Sequence, residues 1–299
     1  MSVEVMHLRK NYGSFTAVKD LSFAVASGSL FAFLGSNGAG KSTTIGCITT
    51  TLMPTSGEIR VDGHDVVKEA HAVRGSIGAV FQSSMLDPLL TVRENLSVRA
   101  GFYGMTRKET NARIDDLARL VGLESFLGRR YGRLSGGQKR RADIARALIH
   151  DPSVIFLDEP TAGLDPQSRE HIWAAIEQLR TTRGATIFLT THYMEETERA
   201  NSVCIIEKGE IVAEGTPAEL RAEYSSSILT VRTIDAAGVL EECRRRGLEP
   251  TVEGDQIRVP VESSMHAREL LAALSIDDFE FRHGTMDDVF LAVTGGEVA

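Results

Sequence analysis

The feature that most constrains this chain is an apolar run opening into a glycine-rich turn. Leu30-Phe31-Ala32-Phe33-Leu34 leads directly into Gly35-Ser36-Asn37-Gly38-Ala39-Gly40-Lys41-Ser42. The turn has the form G-x-x-x-x-G-K-[ST], with strand-type residues before it and helix-compatible ones from Thr43 onward, the context that makes the pattern a phosphate site. Its glycines let successive N–H groups face an anion, and the helix that follows adds its positive end. Lys41 would meet the β- and γ-phosphates as a point charge, and the Ser42 hydroxyl would hold Mg²⁺.

Composition narrows the class. A chain of 299 residues with 42% hydrophobic content can bury cores for about two domains. No charged start with an apolar core and cleavage site follows Met1, and no stretch of about 18 apolar residues occurs, so a soluble, unexported protein is expected. Cys47, Cys204 and Cys243 show no C-x-x-C spacing and read as ordinary thiols. The net charge of -8 argues against a nucleic-acid face as the main business of the chain. The basic run Arg244-Arg245-Arg246 reads as a solvated face.

Taken in order, Val3–Leu8 and Ala17–Val25 alternate as strands around the turn Asn11-Tyr12-Gly13-Ser14, a hairpin ahead of the nucleotide strand. Tyr12 offers a ring there that could stack on a purine; by itself a turn tyrosine is a packing residue. A helix runs to Thr51, Pro54 to Gly57 breaks it, and Glu58–Val61 is a short strand. Ile77–Phe81 reads as a buried strand ending at Gln82, at the kind of strand end where open α/β sheets bind ligands. From Thr91 to Arg130 a charged stretch with Ile114, Leu117, Leu120 and Val121 at helical spacing predicts a helical insertion.

Leu134-Ser135-Gly136-Gly137-Gln138 then opens a second helix and repeats the anion-binding logic of the first turn, with Lys139, Arg140 and Arg141 in a supporting role. Val154-Ile155-Phe156-Leu157 predicts a central parallel strand ending in Asp158-Glu159. Adjacent carboxylates there need a reason: a magnesium ion for Asp158 and a water to be polarised for Glu159. A turn at Ala162 to Pro166 contains Asp165, and Ser168–Leu179 is a helix. The strand Thr186–Thr191 presents His192, which could bond a γ-phosphate oxygen. A hairpin at Lys208-Gly209 and a helix Pro217–Glu223 close the first domain.

This ordered set resembles the ATP-binding subunit of an ABC transporter over roughly Val3 to Tyr224, its most specific element being Leu134 to Gln138 between the phosphate loop and Asp158-Glu159. The resemblance implies a P-loop NTPase of the α/β class: a mixed-sheet core, N-terminal antiparallel strands and a helical subdomain at about 91–130, in a domain spanning 1–224. It implies that ATP and Mg²⁺ are held by Tyr12 at the adenine, Gly35 through Thr43 at the phosphates, and Ser42, Gln82 and Asp158 at the metal. Glu159 matches the general base, His192 the γ-phosphate switch, Gln82 the link to the membrane partner and Asp165 the dimer interface. In the family, ATP lies between two copies, so Ser135, Gly136, Gly137 and Gln138 of one would face the phosphate loop of the other. No key position departs from the pattern, and a working ATPase is expected. It would be cytoplasmic, peripheral on the inner membrane face through a separate permease, and without nucleic acid or covalent cofactor.

Softer signals, Ser84 to Pro88, Leu90 to Asn95 and Met286 to Leu291, resemble drug- and antibiotic-resistance exporters of the daunorubicin type, with polysaccharide, lipid and nodulation-factor exporters similar at this level. The alternative is a soluble ABC ATPase acting on ribosomes or DNA. Against it stand a single ATPase domain, no long coiled coil and an acidic net charge. Residues 225–299 read as β-α-β-β-α-β, the ferredoxin-like α+β order, followed by a helix from Thr285. This domain is an interaction or regulatory module, or equally a structural appendage.

Overall fold

The fold is described from a computed structural model, which describes residues 1–233, 235–261, 263–274, 276 and 278–295. The chain forms two compact units, Met1–Glu214 and Gly215–Ala299. The helix Pro217–Tyr224 therefore groups with the second unit, ahead of the boundary expected after Tyr224. The expected second domain runs to 299, and its residues 296–299 lie outside the described residues.

The first unit begins with β1 (Val3–Tyr12) and β2 (Phe15–Val25), an antiparallel hairpin whose turn narrows to Gly13-Ser14 because Tyr12 pairs with Phe15. Next come β3 (Leu30–Gly35), α1 (Lys41–Ile48), β4 (Ser56–Val61), β5 (His64–Asp65), α2 (Ala70–Ser76) and β6 (Ile77–Val80). The helices α3 (Val92–Gly101) and α4 (Arg107–Val121) form the helical insertion, closed by an isolated antiparallel bridge between Thr91 and Arg130. Then α5 (Gly136–Ala147), β7 (Val154–Asp158), α6 (Pro166–Arg183), β8 (Thr186–Thr191), α7 (Met194–Thr197), β9 (Ser202–Glu207) and β10 (Glu210–Gly215) complete it. The short β5, α2 and α7 carry too few residues for a periodic signal and had no sequence expectation.

Two sheets result. One orders β2-β1-β4-β5, and the other orders β10-β9-β3-β8-β7-β6. In the second, β9, β3, β8, β7 and β6 run parallel, and β3, β7 and β8 are buried at every residue. That burial on both faces is why their sequences are apolar runs rather than alternations. Lys208 and Gly209, with φ of 49° and 80°, supply the two left-handed residues of a tight β9–β10 turn. Phe31, Phe33 and Phe188, all under 2% exposed, meet Phe23 and one another, and Phe156 meets Phe188, at ring-centroid distances of 5.1 to 6.3 Å. This cluster packs the six-stranded sheet against the antiparallel one. All three cysteines are free and buried, and among the described residues no helix is long and apolar enough to cross a membrane.

In the second unit, α8 (Pro217–Tyr224) precedes β11 (Ser227–Arg232), α9 (Ala236–Arg245), β12 (Thr251–Glu253), β13 (Gln256–Val261), α10 (Ser264–Leu274), β14 (Asp278–Arg282) and α11 (Met286–Thr294). The sheet order β12-β13-β11-β14, antiparallel throughout, is the ferredoxin-like arrangement. Leu229, Val231, Ile257 and Val259 face Val239, Cys243, Ala267 and Leu270 of the helices.

Phe188 touches four other rings with no exposed surface, so Phe188→Ala should destabilise the chain by about 3–5 kcal/mol. Denaturant unfolding would read this as a lowered midpoint at unchanged slope; a loss below ~1 kcal/mol would contradict the aromatic core.

Candidate functional site

Sheet order assembles the candidate residues. Four adjacent parallel strands, β3, β8, β7 and β6, end in the same direction, with Leu34 beside Thr191, Thr190 beside Asp158 and Leu157 beside Val80. Their carboxyl ends lead into Gly35–Ser42, His192, Asp158-Glu159 and Gln82 respectively, the edge where such sheets bind ligands.

The phosphate loop is anchored from outside. The Ala39 carbonyl accepts from the Gly209 N–H at 3.0 Å, and the Ser36 hydroxyl donates to Glu207 Oε2 at 2.6 Å. Gly40, at φ 109°, passes so close to β2 that a Cβ would lie 2.8 Å from the Ala17 carbonyl oxygen, which brings the hairpin carrying the half-exposed Tyr12 alongside the loop. Gly38, at φ 85°, faces open space.

Helix α1 starts at Lys41 with no side-chain cap and no acid in its first turn, whereas α3, α4, α5, α8 and α11 each open with a capping box. Its first N–H groups are thus left for an anion. The Lys41 ammonium, 6% exposed, donates to the carbonyls of Gly35 (2.6 Å) and Ser36 (3.0 Å). Burial lowers its pKa, while Glu159, Asp158 and Glu207 pull the other way. Such a cation, held on its own loop's carbonyls, is poised to exchange them for phosphate oxygens.

Asp158 is buried, and Oδ1 accepts from the Thr190 hydroxyl at 2.6 Å. Burial pushes its carboxyl up, with the Thr190 bond, Arg140 and Lys41 opposing and Glu159 adding to the rise. Glu159 takes a left-handed φ of 46°, an uncommon conformation for a glutamate that costs energy and aims its side chain out of the strand line. Its N–H donates to both the carbonyl and the hydroxyl of Thr190 at 3.1 Å, and His192 Nδ1 lies 3.3 Å from Oε1. Glu159 and His192 are therefore adjacent. Gln82 is exposed just beyond β6.

The residues fit a magnesium nucleotide. Among the described residues no cluster of three or more His, Cys, Asp and Glu could hold a metal alone, so Ser42 and Asp158 suit an ion that takes most ligands from phosphates and water.

The second turn behaves differently from the first. Ser135 accepts from the Gln138 N–H at 3.3 Å and Gln138 Oε1 accepts from the Ser135 N–H at 3.1 Å, so donors left at the start of α5 are chiefly those of Gly136 and Gly137. A side chain at Gly137 would collide with Ser168, and Leu164 lies beside Gly136. The turn thus packs on the segment carrying Asp165, which itself caps α6 by accepting from the Ser168 N–H at 2.9 Å.

The expected supporting role of the basic run is overturned. Arg140 turns inward, 8% exposed, and donates to the carbonyls of Phe81 (2.6 Å), Asp158 (2.5 Å) and Pro160 (2.9 Å). Arg141 donates to the Gly122 carbonyl at 2.7 Å, and Lys139 lies over the Tyr131 ring. The signal for Arg140 was its helical spacing with Asp143 and Arg146, all buried on one face of α5. Asp143 accepts from Ser84 (2.6 Å) and Tyr131 (3.0 Å), and Arg146 donates to the Ala79 carbonyl at 2.6 Å. Thr190 and Glu196 had no sequence signal, since their roles depend on strand pairing and burial.

Comparison with known proteins gives the family. Residues 18–162 match the family described as ABC transporter. The Nod factor export ATP-binding protein I of Paraburkholderia xenovorans (strain LB400) is 40% identical, covering 99% of this chain and 98% of its own. That of Bradyrhizobium diazoefficiens is 38% identical over 100% and 98%. A dimeric ATP-binding cassette solved in a post-hydrolysis state with ADP and Pi superposes with a TM-score of 0.66 at 30% identity, over 72% of this chain and 98% of that one. The cbiO1 subunit from Clostridium perfringens, part of the transporter complex cbiONQ, gives 0.69 at 29% identity, over 82% and 95%. The chain belongs to the ABC transporter family, as one of its ATP-binding, ATP-hydrolysing subunits.

Proposed function

We propose that this chain powers an exporter through a separate membrane permease, with two copies closing on ATP and opening after hydrolysis. The observation that carries this reading is the division of phosphate-binding parts within one chain. Gly38 faces open space at the phosphate loop, while Gly136 and Gly137 present their donors beside the Asp165 segment. A second copy would bring its Ser135-Gly136-Gly137 turn over the loop and Asp165 to the interface. The dimeric cassette among the related structures supports this arrangement.

Within each site, Tyr12 stacks on the adenine, Gly35 through Thr43 hold the phosphates, and Ser42, Asp158 and Gln82 hold Mg²⁺. The ion, when bound, neutralises charge on the β- and γ-phosphates. Glu159 accepts a proton from the attacking water, and His192, adjacent to it, bonds the γ-phosphate and reports its loss. Gln82 connects this event to the permease, which docks on the Gln82 segment and α3, where Met85, Leu89, Val98 and Phe102 are exposed. On this reading the chain works on the inner face of the membrane, held there by the permease. Residues 225–299, grouped with the helix Pro217–Tyr224 in the second unit, serve as an accessory module.

The relatives named for Nod factor export align over nearly their whole length, which favours a cargo of that kind over a drug or antibiotic. Nothing in the comparisons supports action on ribosomes or DNA.

Glu159→Gln should keep ATP binding, lose turnover by at least about 10²-fold, and accumulate a nucleotide-bound dimer in size-exclusion chromatography. Steady-state hydrolysis at the native rate would sink the assignment of the base. Lys41→Ala should instead weaken ATP binding by about tenfold or more, as a phosphate-neutralising charge is lost; unchanged affinity by calorimetric titration would refute the phosphate-loop reading.

A further inference from the structure

Two consecutive threonines end β8 and serve different partners. Thr190 bonds Asp158 and the Glu159 backbone, on the carboxylate side of the site. Thr191 donates to Glu196 Oε2 at 2.6 Å and accepts from the Tyr193 N–H at 2.9 Å. Alternation along a strand makes this split unavoidable, because successive side chains leave opposite faces. His192 is therefore carried on backbone fixed from two sides.

Glu196 is 2% exposed, and its other carboxylate oxygen accepts from the Thr161 hydroxyl. Thr161 follows Pro160 and leads toward Asp165. Around this carboxylate, Arg169 pairs with Glu195 at 2.5 Å and stacks on Tyr193, and Arg199 pairs with Glu170 at 3.0 Å, bracing α6 against α7. A carboxylate this deep is costly unless both oxygens are satisfied, and an apolar side chain of similar size would fill the space at lower cost. Filling space does not explain it. What it does is join the two loops.

We propose that Glu196 is a positioning residue for His192. It acts through Thr191 to set the backbone that presents the imidazole to Glu159, and through Thr161 it ties that backbone to the Asp165 segment. Movement of the Asp165 segment on closure of a second copy is thereby transmitted to His192. The inference rests on the role given to His192 above.

The test is a double-mutant cycle on the full chain, reading kcat and KM for ATP with His192→Ala, Glu196→Ala and Thr191→Val, singly and combined. Glu196→Ala and Thr191→Val should each lower kcat by on the order of 10- to 10²-fold with KM unchanged within about twofold. In the His192→Ala background they should add less than about twofold, since the route by which they act is gone. The His192 ring resonance, identified by its disappearance in His192→Ala, should shift in both variants while the ring resonances of histidines remote from the site stay in place. Losses that multiply in the His192→Ala background, or an unmoved His192 resonance, would overturn the proposal. Wild-type turnover in His192→Ala would overturn the role of His192 itself, a separate and recognisable failure. If Glu196→Ala does not fold, Thr191→Val, which keeps the side chain's shape and removes only the hydroxyl, decides the matter.

Discussion

The buried guanidinium of Arg140 is the interaction on which the site depends. β6 ends at Val80 and β7 at Asp158, and beyond those points the ladder no longer satisfies every carbonyl. Arg140 takes the carbonyls of Phe81, Asp158 and Pro160 with three separate N–H groups. Burial lowers its pKa, and Asp143 and Asp158 help keep it charged. A planar fork with five donors spread over three nitrogens suits this task better than an ammonium, whose three donors leave from one atom. Two strand ends and the start of α5 are thereby held in one frame, from which Gln82, Glu159 and the Ser135 turn all extend.

Capping explains why the start of α1 is open to an anion while most helix starts are closed. Five helices close their first turn with a capping box and α6 and α9 with an aspartate cap, while α1 opens on a left-handed glycine with no side-chain cap. The start of α5 stands between these cases, capped by Ser135 and Gln138 yet free at Gly136 and Gly137. Its glycines also have a packing reason, since Gly137 lies against Ser168. Motif and packing coincide there, so the pattern alone overstated how much of the turn is available to a ligand.

The site also stores strain where chemistry is proposed. Glu159 adopts a left-handed backbone that Thr190 secures by bonding its N–H twice. The same threonine bonds Asp158, so the two carboxylates are oriented by one residue from the neighbouring strand. Buried hydroxyls at Thr161, Thr190 and Thr191 thus do much of the orienting, a role that an apolar strand sequence conceals.

By itself the sequence determined the glycine-rich turn between β3 and α1, the buried parallel strands, the paired carboxylates at the end of β7 and the ferredoxin-like order of the second unit. Each is local: a glycine pattern, an apolar run or an alternation is set by backbone conformation and burial over a few residues. The sequence also placed the site residues at strand ends. Only the tertiary structure decided which strands are neighbours, and hence that His192 meets Glu159. It alone turned Arg140 from a surface cation into an internal clamp, because a charge run carries no record of which side chain faces inward. It also moved the helix Pro217–Tyr224 into the second unit, since helix formation is local and the choice of packing partner, α11, is not.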